Sequence, residues 1–464
     1  MIEGAMRLTL PVAAALMLCA CGRATTPTPT PTPSVAPAQV QSPAALAAIT
    51  RAAAARLDAS APPLSAMAQL GRKMFFDASL SGSGRMSCAT CHNPANAYAP
   101  ANALAVQLGG PDLNQPGARA VPSLTYLERT PKFVIRPDGK FDPDDGGVAK
   151  AARPVFSLLP DGKTGPANGP NSAKLAQLVP EGGMDWDGRA ATLPEQAGGP
   201  LFDPREMANR DGAALLARLK ATPYANEFIA VFGQEALRSP DAGLADVYLA
   251  LTRFQVEDRS FHTYDSKFDY YLAGRAQLSE RELRGLKLFD DLKKGGCAAC
   301  HLDRPTKNRM APAFTDYEFE ALAPPRNRDL VANRDPAFFD EGLCGPARND
   351  MAGQQQYCGL FKTPTLRNVA TRQVFFHNGA IHTLEDAVRF YVERETRPGK
   401  WYPRQADGTV EMYDDLPAAH RVNVDVGDAP FNRHRGDEPA LNDREIEDVV
   451  AFLKTLTDGY RQVN

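Results

Sequence analysis

Apolar residues recur with helical spacing along much of the chain, and the alternation typical of strands is rare. In the stretch HNGAIHTLEDAVRFYVE, Thr383 can cap a helix, and acidic residues fill the first turn after it. One face of this predicted helix then carries Leu384, Ala387, Val388 and Tyr391. The pattern allows two interpretations of Tyr391: packing in the core, or an oxygen that binds a ligand.

Two apolar stretches repeat each other at a distance. LSAMAQLGRKMFFD runs from Leu64 to Asp77, and LSERELRGLKLFDD runs from Leu278 to Asp291. Both predict amphipathic helices, and Ser279 with Glu282 forms a capping box. The residues identical in both stretches include a serine at the start and a glycine in the middle, Gly71 and Gly285. Such a repeat predicts two related domains.

Further helices are predicted at the end of the chain and between the repeats. LNDREIEDVVAFLKTL has Asn442 as its cap and an apolar face at Ile446, Val449, Val450 and Leu453. A short helix is predicted from Asp211 to Lys220. Strand signals are few, so the predicted fold class is mainly α.

Composition limits the classes of protein that need consideration. The chain has 464 residues, of which 43% are hydrophobic, and this is enough for two globular domains. The net charge of −3 argues against a nucleic-acid-binding protein, which needs an excess of basic residues.

The first residues have the features of an export signal. Arg7 precedes an apolar run and small residues, and Leu18-Cys19-Ala20-Cys21 looks like a bacterial lipobox. We therefore expect a signal peptide over residues 1–21 and a periplasmic lipoprotein anchored through Cys21; an ordinary signal cut nearby is the alternative. Residues 22–43 are rich in proline and threonine and are predicted to form an extended tether.

Two short motifs predict the cofactor. CATCH spans Cys88 to His92 and CAACH spans Cys297 to His301, and each has the C-x-x-C-H spacing of c-type haem attachment. The thiols of Cys88, Cys91, Cys297 and Cys300 would form thioethers to the porphyrin, and each adjacent histidine would bind the iron. We expect two covalently bound haems, in a domain over residues 44–270 and a second over residues 271–464. With the helical repeats, this predicts a mainly α fold with two cytochrome c-like haem domains in tandem.

Cys344 and Cys358 lie outside these motifs, in LCGPARNDMAGQQQYCG. In an exported protein a disulfide that closes this loop is expected, and two thiols are the alternative.

The chain resembles the bacterial dihaem cytochrome c peroxidases and their relative MauG from about Leu64 to Leu456. The matching stretches include LGRKMFFDASLSGSGRMSCATCH, WDGRAATLPEQAGGPLFDPREM, LKLFDDLKKGGCAACH and FKTPTLRNVATRQVFFHNGAIHTLEDAVRFY. The resemblance implies two all-α haem domains with the active site at the N-terminal haem. It implies a relay tryptophan between the haems at Trp186, and distal-pocket residues at Gln196, Pro200 and Glu206.

The distal residues suit peroxide chemistry. Cleavage of the O–O bond moves a proton from one oxygen to the other, and a carboxylate above the iron can carry it. Burial would raise the pKa of that carboxylate towards the working range. Glu206 is therefore the expected proton shuttle, although its sequence context alone is also that of a residue near a helix terminus.

Members of this family often have a second histidine on the N-terminal haem, which leaves on activation. This chain has no histidine between His92 and His262, so we expect an N-terminal iron open to peroxide. Tyr98 is a minor alternative ligand.

In the peroxidases, the C-terminal haem takes a methionine fourteen residues after the histidine of the FHxG stretch. Here that position is Tyr391, as in MauG, and we expect Tyr391 to be the axial ligand opposite His301. The reserve candidates are Met310, Met351 and His382. A phenolate is hard and anionic, whereas a thioether is soft and raises the potential. Tyrosine ligation should therefore favour storage of an oxidising equivalent.

The family often holds Ca²⁺ between the domains through an asparagine side chain and two backbone carbonyls. The equivalent positions here are Ala120 or its neighbours, and the carbonyls of Arg372 and Val374. The asparagine is missing, so calcium is an open expectation.

The preferred reading is an exported, MauG-like dihaem peroxidase that reduces hydrogen peroxide and oxidises a partner protein. The alternative is a conventional cytochrome c peroxidase fed by a small cytochrome or cupredoxin. A third reading is an electron-transfer lipoprotein without catalysis. The resemblance also allows a homodimer.

Overall fold

The computed structural model describes residues 43–137, 156–158, 164–166, 178–306 and 309–462. The predicted signal peptide, Cys21 and the tether up to residue 42 lie outside the described residues. The α-helices are α1 (Pro43–Asp58), α2 (Ala66–Phe76), α3 (Cys88–Cys91), α4 (Leu193–Phe202), α5 (Gly212–Lys220), α6 (Ala225–Phe232), α7 (Pro240–Glu257), α8 (Lys267–Leu272), α9 (Glu280–Asp290), α10 (Leu384–Glu393) and α11 (Asp443–Lys454). The predicted helices at both repeats, after Asp211, after Thr383 and after Asn442 are confirmed.

Strands are short and occur only as antiparallel pairs in the described part of the chain. They are β1 (Leu108–Gly109) with β2 (Gln115–Pro116), β3 (Val134–Pro137) with β6 (Leu178–Glu181), β4 (Phe156–Leu158) with β5 (Thr164–Pro166), and β7 (Phe319–Glu320) with β8 (Phe361–Lys362). Short 3₁₀ turns join the longer elements, among them Cys297–Ala299 and Val369–Thr371. The mainly α class is confirmed.

The repeated sequences build the same helix crossing twice. Ser65 and Ser279 cap α2 and α9, with their hydroxyl oxygens accepting from backbone N–H groups. A Cβ on Gly71 would overlap the carbonyl oxygen of Ala250 in α7. A Cβ on Gly285 would overlap the carbonyl oxygen of Asp448 in α11. Each glycine therefore lets one helix lie directly against the backbone of another.

Two separate apolar clusters surround these crossings. The first lies on residues 70–261 and includes Phe75, Phe228 and Phe254. The second lies on residues 268–456 and includes Phe289, Phe314, Phe390 and Phe452. The domain boundary near residue 270 stays a prediction, with one apolar cluster on either side of it.

One disulfide bond is present in the described residues, in the loop where the sequence predicted it. Cys344 and Cys358 form a disulfide, which confirms that prediction. Among the helices described, none is long and apolar enough to cross a bilayer.

Two candidate haem sites

The first C-x-x-C-H motif forms a closed turn. Cys88–Cys91 is the short helix α3, and the His92 N–H donates to the Cys88 carbonyl at 2.9 Å. His92 Nδ1 lies 3.0 Å from the carbonyl oxygen of Tyr98, which fixes the ring. Cys88, Cys91 and His92 together line a cavity, here called the N-terminal cavity.

The second motif repeats this geometry on a 3₁₀ turn. The His301 N–H donates to the Cys297 carbonyl at 2.9 Å, and His301 Nδ1 lies 2.9 Å from the carbonyl oxygen of Phe314. Cys297, Cys300 and His301 line another cavity, here called the C-terminal cavity.

These donor sets fit c-type haem. All four motif cysteines are thiols, and burial raises the pKa of Cys91 to about 11, so it is a neutral thiol near pH 7. Burial lowers the pKa of His92 to about 4, and neutral imidazole is the form that binds a metal. With Nδ1 of each histidine placed at a carbonyl, Nε2 is the nitrogen that would bind iron.

Two of the predicted distal residues lie on α4. Thr192 caps this helix in a capping box with Glu195, and the helix carries Gln196 and Pro200 along the wall of the N-terminal cavity. Gln196 also lines the C-terminal cavity. The structure therefore brings both residues to the cavity that holds His92.

Glu206 lies in the same wall, in the turn after α4. Its backbone carbonyl accepts from the Gly110 N–H at 2.8 Å, and a Cβ on Gly109 would collide with the Arg205 carbonyl. The β1–β2 hairpin thus packs directly against the backbone that carries Glu206. Burial, reinforced by repulsion from Asp203, raises the pKa of Glu206 to about 7.

Glu206 also faces the first motif. Its negative charge raises the pKa of Cys91, in addition to the larger effect of burial. A carboxyl group with a pKa near neutrality, across a cavity from the histidine motif, can take up and release a proton under ordinary conditions.

Trp186 lies between the cavities and lines both. Its Nε1 donates to the Ala120 carbonyl at 2.7 Å, and its own carbonyl accepts from the Lys362 N–H at 2.8 Å. The residues shared by the two walls are Pro122, Leu124, Asp185, Trp186 and Gln196.

Tyr391 lines the C-terminal cavity together with His301. Burial raises its pKa, and the thiols of Cys300 and Cys297 raise it further, so the hydroxyl faces the second motif. The aromatic rings of Phe376 and Phe431 hold the phenol at centroid distances of 5.9 and 5.4 Å.

The reserve ligands are placed elsewhere. Met310 is 42% exposed and His382 is also exposed, whereas Met351 is buried in a separate cluster with Phe319 and Leu343. All are described residues, and none of these three lines the C-terminal cavity. Of the four candidates, Tyr391 is the one that lines the C-terminal cavity, and its role as ligand stays a prediction.

Tyr98, the minor alternative ligand at the N-terminal site, stays a prediction, and its side chain has other partners in this structure. Its hydroxyl lies 2.6 Å from Ser260 Oγ, its ring stacks on Phe261 at 3.8 Å, and it does not line the N-terminal cavity. Its carbonyl instead positions His92. Within the described lining, His92 is the only histidine of that cavity.

Sequence reasoning missed two buried cations near Trp186. Lys362 Nζ donates to the Gly183 carbonyl, and burial lowers the Lys362 pKa to about 8. Arg119 pairs with Asp340 and Asp187 at 2.7 and 2.8 Å. The segment FKTPTLRN, which starts at Phe361, was part of the resemblance, and its lysine beside an apolar residue was the available signal.

The family model and the similar proteins indicate the same family. A family model described as di-haem cytochrome c peroxidase matches residues 65–277. The methylamine utilization protein MauG of Paracoccus denitrificans is 29% identical over 422 residues, which cover 89% of this chain and 93% of the relative. A cytochrome c551 peroxidase of Nitrosomonas europaea is 29% identical over 406 residues, covering 86% and 83%.

Among solved structures, the diheme peroxidase BthA of Burkholderia thailandensis superimposes with a TM-score of 0.71. It is 36% identical, and the match covers 87% of this chain and 88% of that one.

Proposed function

The chain belongs to the di-haem cytochrome c peroxidase family, and from that premise we propose that it reduces hydrogen peroxide in the N-terminal cavity and shares the oxidising equivalents with a tyrosine-ligated C-terminal site. The family is one of haem peroxidases with two c-type haems, so the chain is an enzyme rather than an electron carrier alone. Residues that hold the haems would be the two C-x-x-C-H motifs. Haem, when bound there, supplies an iron centre that reacts with peroxide and takes up oxidising equivalents.

Glu206 is proposed as the proton carrier of this reaction. Hydrogen peroxide takes up two electrons and two protons to give two water molecules, and one proton must move between its oxygens as their bond breaks. Glu206, with a pKa of about 7, can accept the first proton and return it to the leaving oxygen. Gln196 lies in the same wall and offers an amide that can hydrogen-bond a small polar substrate.

Trp186 is proposed as the relay. Its indole borders both cavities, and Trp186 is the aromatic residue among those that line both walls. A charge that passes between the cavities can therefore use this ring. The hydrogen bond to the Ala120 carbonyl fixes the ring.

Tyr391 is the observation that carries the proposal for a MauG-like enzyme. Of four candidate ligands in the described chain, it is the one that lines the C-terminal cavity and faces the second motif. A phenolate ligand lowers the potential of a metal centre, which suits storage of an oxidising equivalent better than acceptance of an electron from a small donor.

The test adds hydrogen peroxide to the all-ferric holoprotein and records visible and near-infrared spectra. We expect an immediate reaction and a near-infrared band that depends on both sites. Tyr391→Met should abolish the band, whereas Tyr271→Met, which makes the same change on α8 away from both cavities, should keep it. An unchanged Tyr391→Met spectrum would overturn the assignment.

A conventional cytochrome c peroxidase is the second candidate, because the Nitrosomonas europaea peroxidase is as similar, at 29% identity, as the Paracoccus denitrificans MauG. That function predicts no reaction until one site is reduced by a donor. The same experiment therefore separates the two candidates.

The remaining parts of the proposal concern location and partners. We propose that the enzyme is exported to the periplasm and that an electron donor or an oxidisable protein is its second substrate. Anchoring through a lipid on Cys21 and formation of a homodimer are further proposals on the same footing.

A further inference from the structure

The Arg372 side chain, in the wall of the C-terminal cavity, donates to two backbone carbonyl oxygens. Arg372 follows the 3₁₀ turn Val369–Thr371 and lines the C-terminal cavity. Its Nε donates to the Val374 carbonyl at 3.3 Å, and its Nη2 donates to the Val121 carbonyl at 3.3 Å. The guanidinium therefore links two chain segments that are 251 residues apart in sequence.

The segment at Val121 is the one that separates the cavities. The carbonyl of its neighbour Ala120 accepts from Trp186 Nε1 at 2.7 Å, and the Ala120 N–H donates to the His377 carbonyl at 2.8 Å. Pro122 lines both cavities. The Arg372 guanidinium, which donates to the Val121 carbonyl, thus contacts the same short segment that fixes Trp186. This segment, Ala120–Pro122, is here called the joint between the cavities.

Arg372 has an unusual partner set for a buried cation. Among the described residues no carboxylate forms an ion pair with Arg372, and its side chain donates to the two carbonyls. Burial lowers the Arg372 pKa to about 10, which still leaves the group charged at neutral pH. A guanidinium held by backbone carbonyl oxygens resembles a bound hard metal cation, which such oxygens also hold.

Calcium does not fit this arrangement. The resemblance placed its ligands at the carbonyls of Arg372 and Val374 and at an asparagine near Ala120. Calcium takes about 6–8 oxygen ligands. Here Ala120 offers no side-chain oxygen, and the Val374 carbonyl already accepts from the guanidinium. A divalent ion beside that guanidinium would also be repelled by it.

We infer that Arg372 is a built-in cation that takes the place of a divalent metal ion at the joint between the two cavities. The joint then needs no calcium, and chelators cannot remove its charge. Arg372 is a positioning residue. Its hydrogen bond to Val121 links the segment whose Ala120 carbonyl holds Trp186 to the segment that leads from Arg372 to His377.

The first test uses the purified holoprotein. It is dialysed against calcium, then against metal-free buffer, and its calcium content is measured by elemental analysis; thermal unfolding is followed with EGTA and with added calcium. We expect no calcium above the buffer blank and the same Tm in both conditions. About one retained calcium ion per chain, or a Tm that falls with EGTA, would overturn the inference.

The second test asks whether the charge is needed. Arg372→Thr should lower Tm by on the order of 2–4 °C, because two buried carbonyls lose their donor, and Arg372→Lys should restore part of the loss. Arg238→Thr removes an exposed arginine that pairs with Glu235 on the surface and should leave Tm unchanged. An Arg372→Thr protein that binds calcium and regains its Tm supports the inference. One with an unchanged Tm and no calcium would overturn it.

Both tests read metal content and stability, so they are independent of the proposed function. A protein without peroxidase activity would still show whether Arg372 replaces the metal.

Discussion

Glu206 is the single residue whose ionisation should set the pH dependence of the peroxide reaction. The carboxylate form must accept the proton, so the second-order rate should rise with pH through a midpoint near 7. Glu206→Gln should remove this dependence and slow the reaction by about 10²–10⁴-fold. Stopped-flow spectroscopy of the holoprotein between acidic and alkaline pH measures both effects.

Glu227→Gln is the matched control, since this exposed carboxylate pairs with Lys73 on the surface. The control should follow the wild-type profile. A Glu206→Gln protein with an unchanged profile would mean that another group carries the proton.

The raised pKa of Glu206 should also change how the free energy of unfolding depends on pH. The folded protein holds this proton up to pH about 7, whereas the unfolded chain releases it near 4.5. Folded protein therefore binds more protons between these values, and this contribution to the free energy of unfolding decreases as pH rises from about 4.5 to about 7. Glu206→Gln lacks it, so urea unfolding should show the wild type losing stability relative to the variant across that window. Parallel curves would contradict the raised pKa.

Residues differ in how far the sequence could predict them. The C-x-x-C-H spacing predicts its own chemistry, because two thiols bonded to the porphyrin place the adjacent histidine where it can bind the iron. Glu206 needed the resemblance, since its burial and its neighbour Asp203 are properties of the folded cavity. Arg372 was expected only as a backbone ligand. A single arginine in a loop carries no periodic signal, and its contacts with Val121 arise from packing of distant segments.

At the scale of elements, the repeated glycines should be the most sensitive positions outside the cavities. Gly71→Ala and Gly285→Ala each place a methyl group against a backbone carbonyl, of Ala250 and Asp448, which cannot move without shifting a helix. We expect each change to lower the free energy of unfolding by about 1–3 kcal/mol or more. Thermal and urea unfolding measure the loss.

Gly353→Ala is a suitable control, because a Cβ there meets open space and its φ is not positive. It should change stability by less than about 0.5 kcal/mol. Equal effects at Gly353 and Gly71 would show that the close helix crossings are not the cause.

Helix α10 shows why an apolar face could be predicted but its partner could not. Leu384, Ala387, Val388 and Tyr391 share that face, as the spacing predicted. All four line the C-terminal cavity. A cofactor and a protein core are both apolar surfaces to a helix, so periodicity cannot tell them apart. The strands, at two to four residues each, are too short to give any alternation.

At the scale of the whole molecule, the two sites share walls rather than only a linker. Trp186 and Gln196 line both cavities, and the Ala120–Pro122 segment runs between them. The repeat predicted two related halves, and the resemblance predicted Trp186 between them. The repeat could not predict the Ala120–Pro122 segment at this joint, because that segment lies outside both repeated stretches.

Trp186→Phe should therefore separate the two sites without unfolding either. Phenylalanine fills most of the volume but loses the bond to the Ala120 carbonyl and the easily oxidised indole. In stopped-flow spectra after peroxide, the change at the N-terminal site should persist, whereas the change at the C-terminal site should slow about tenfold or more, roughly 1.4 kcal/mol in the barrier. Trp401, the other tryptophan, lines neither cavity, so Trp401→Phe should behave as wild type. If both variants transfer charge at the wild-type rate, the route between the sites avoids Trp186.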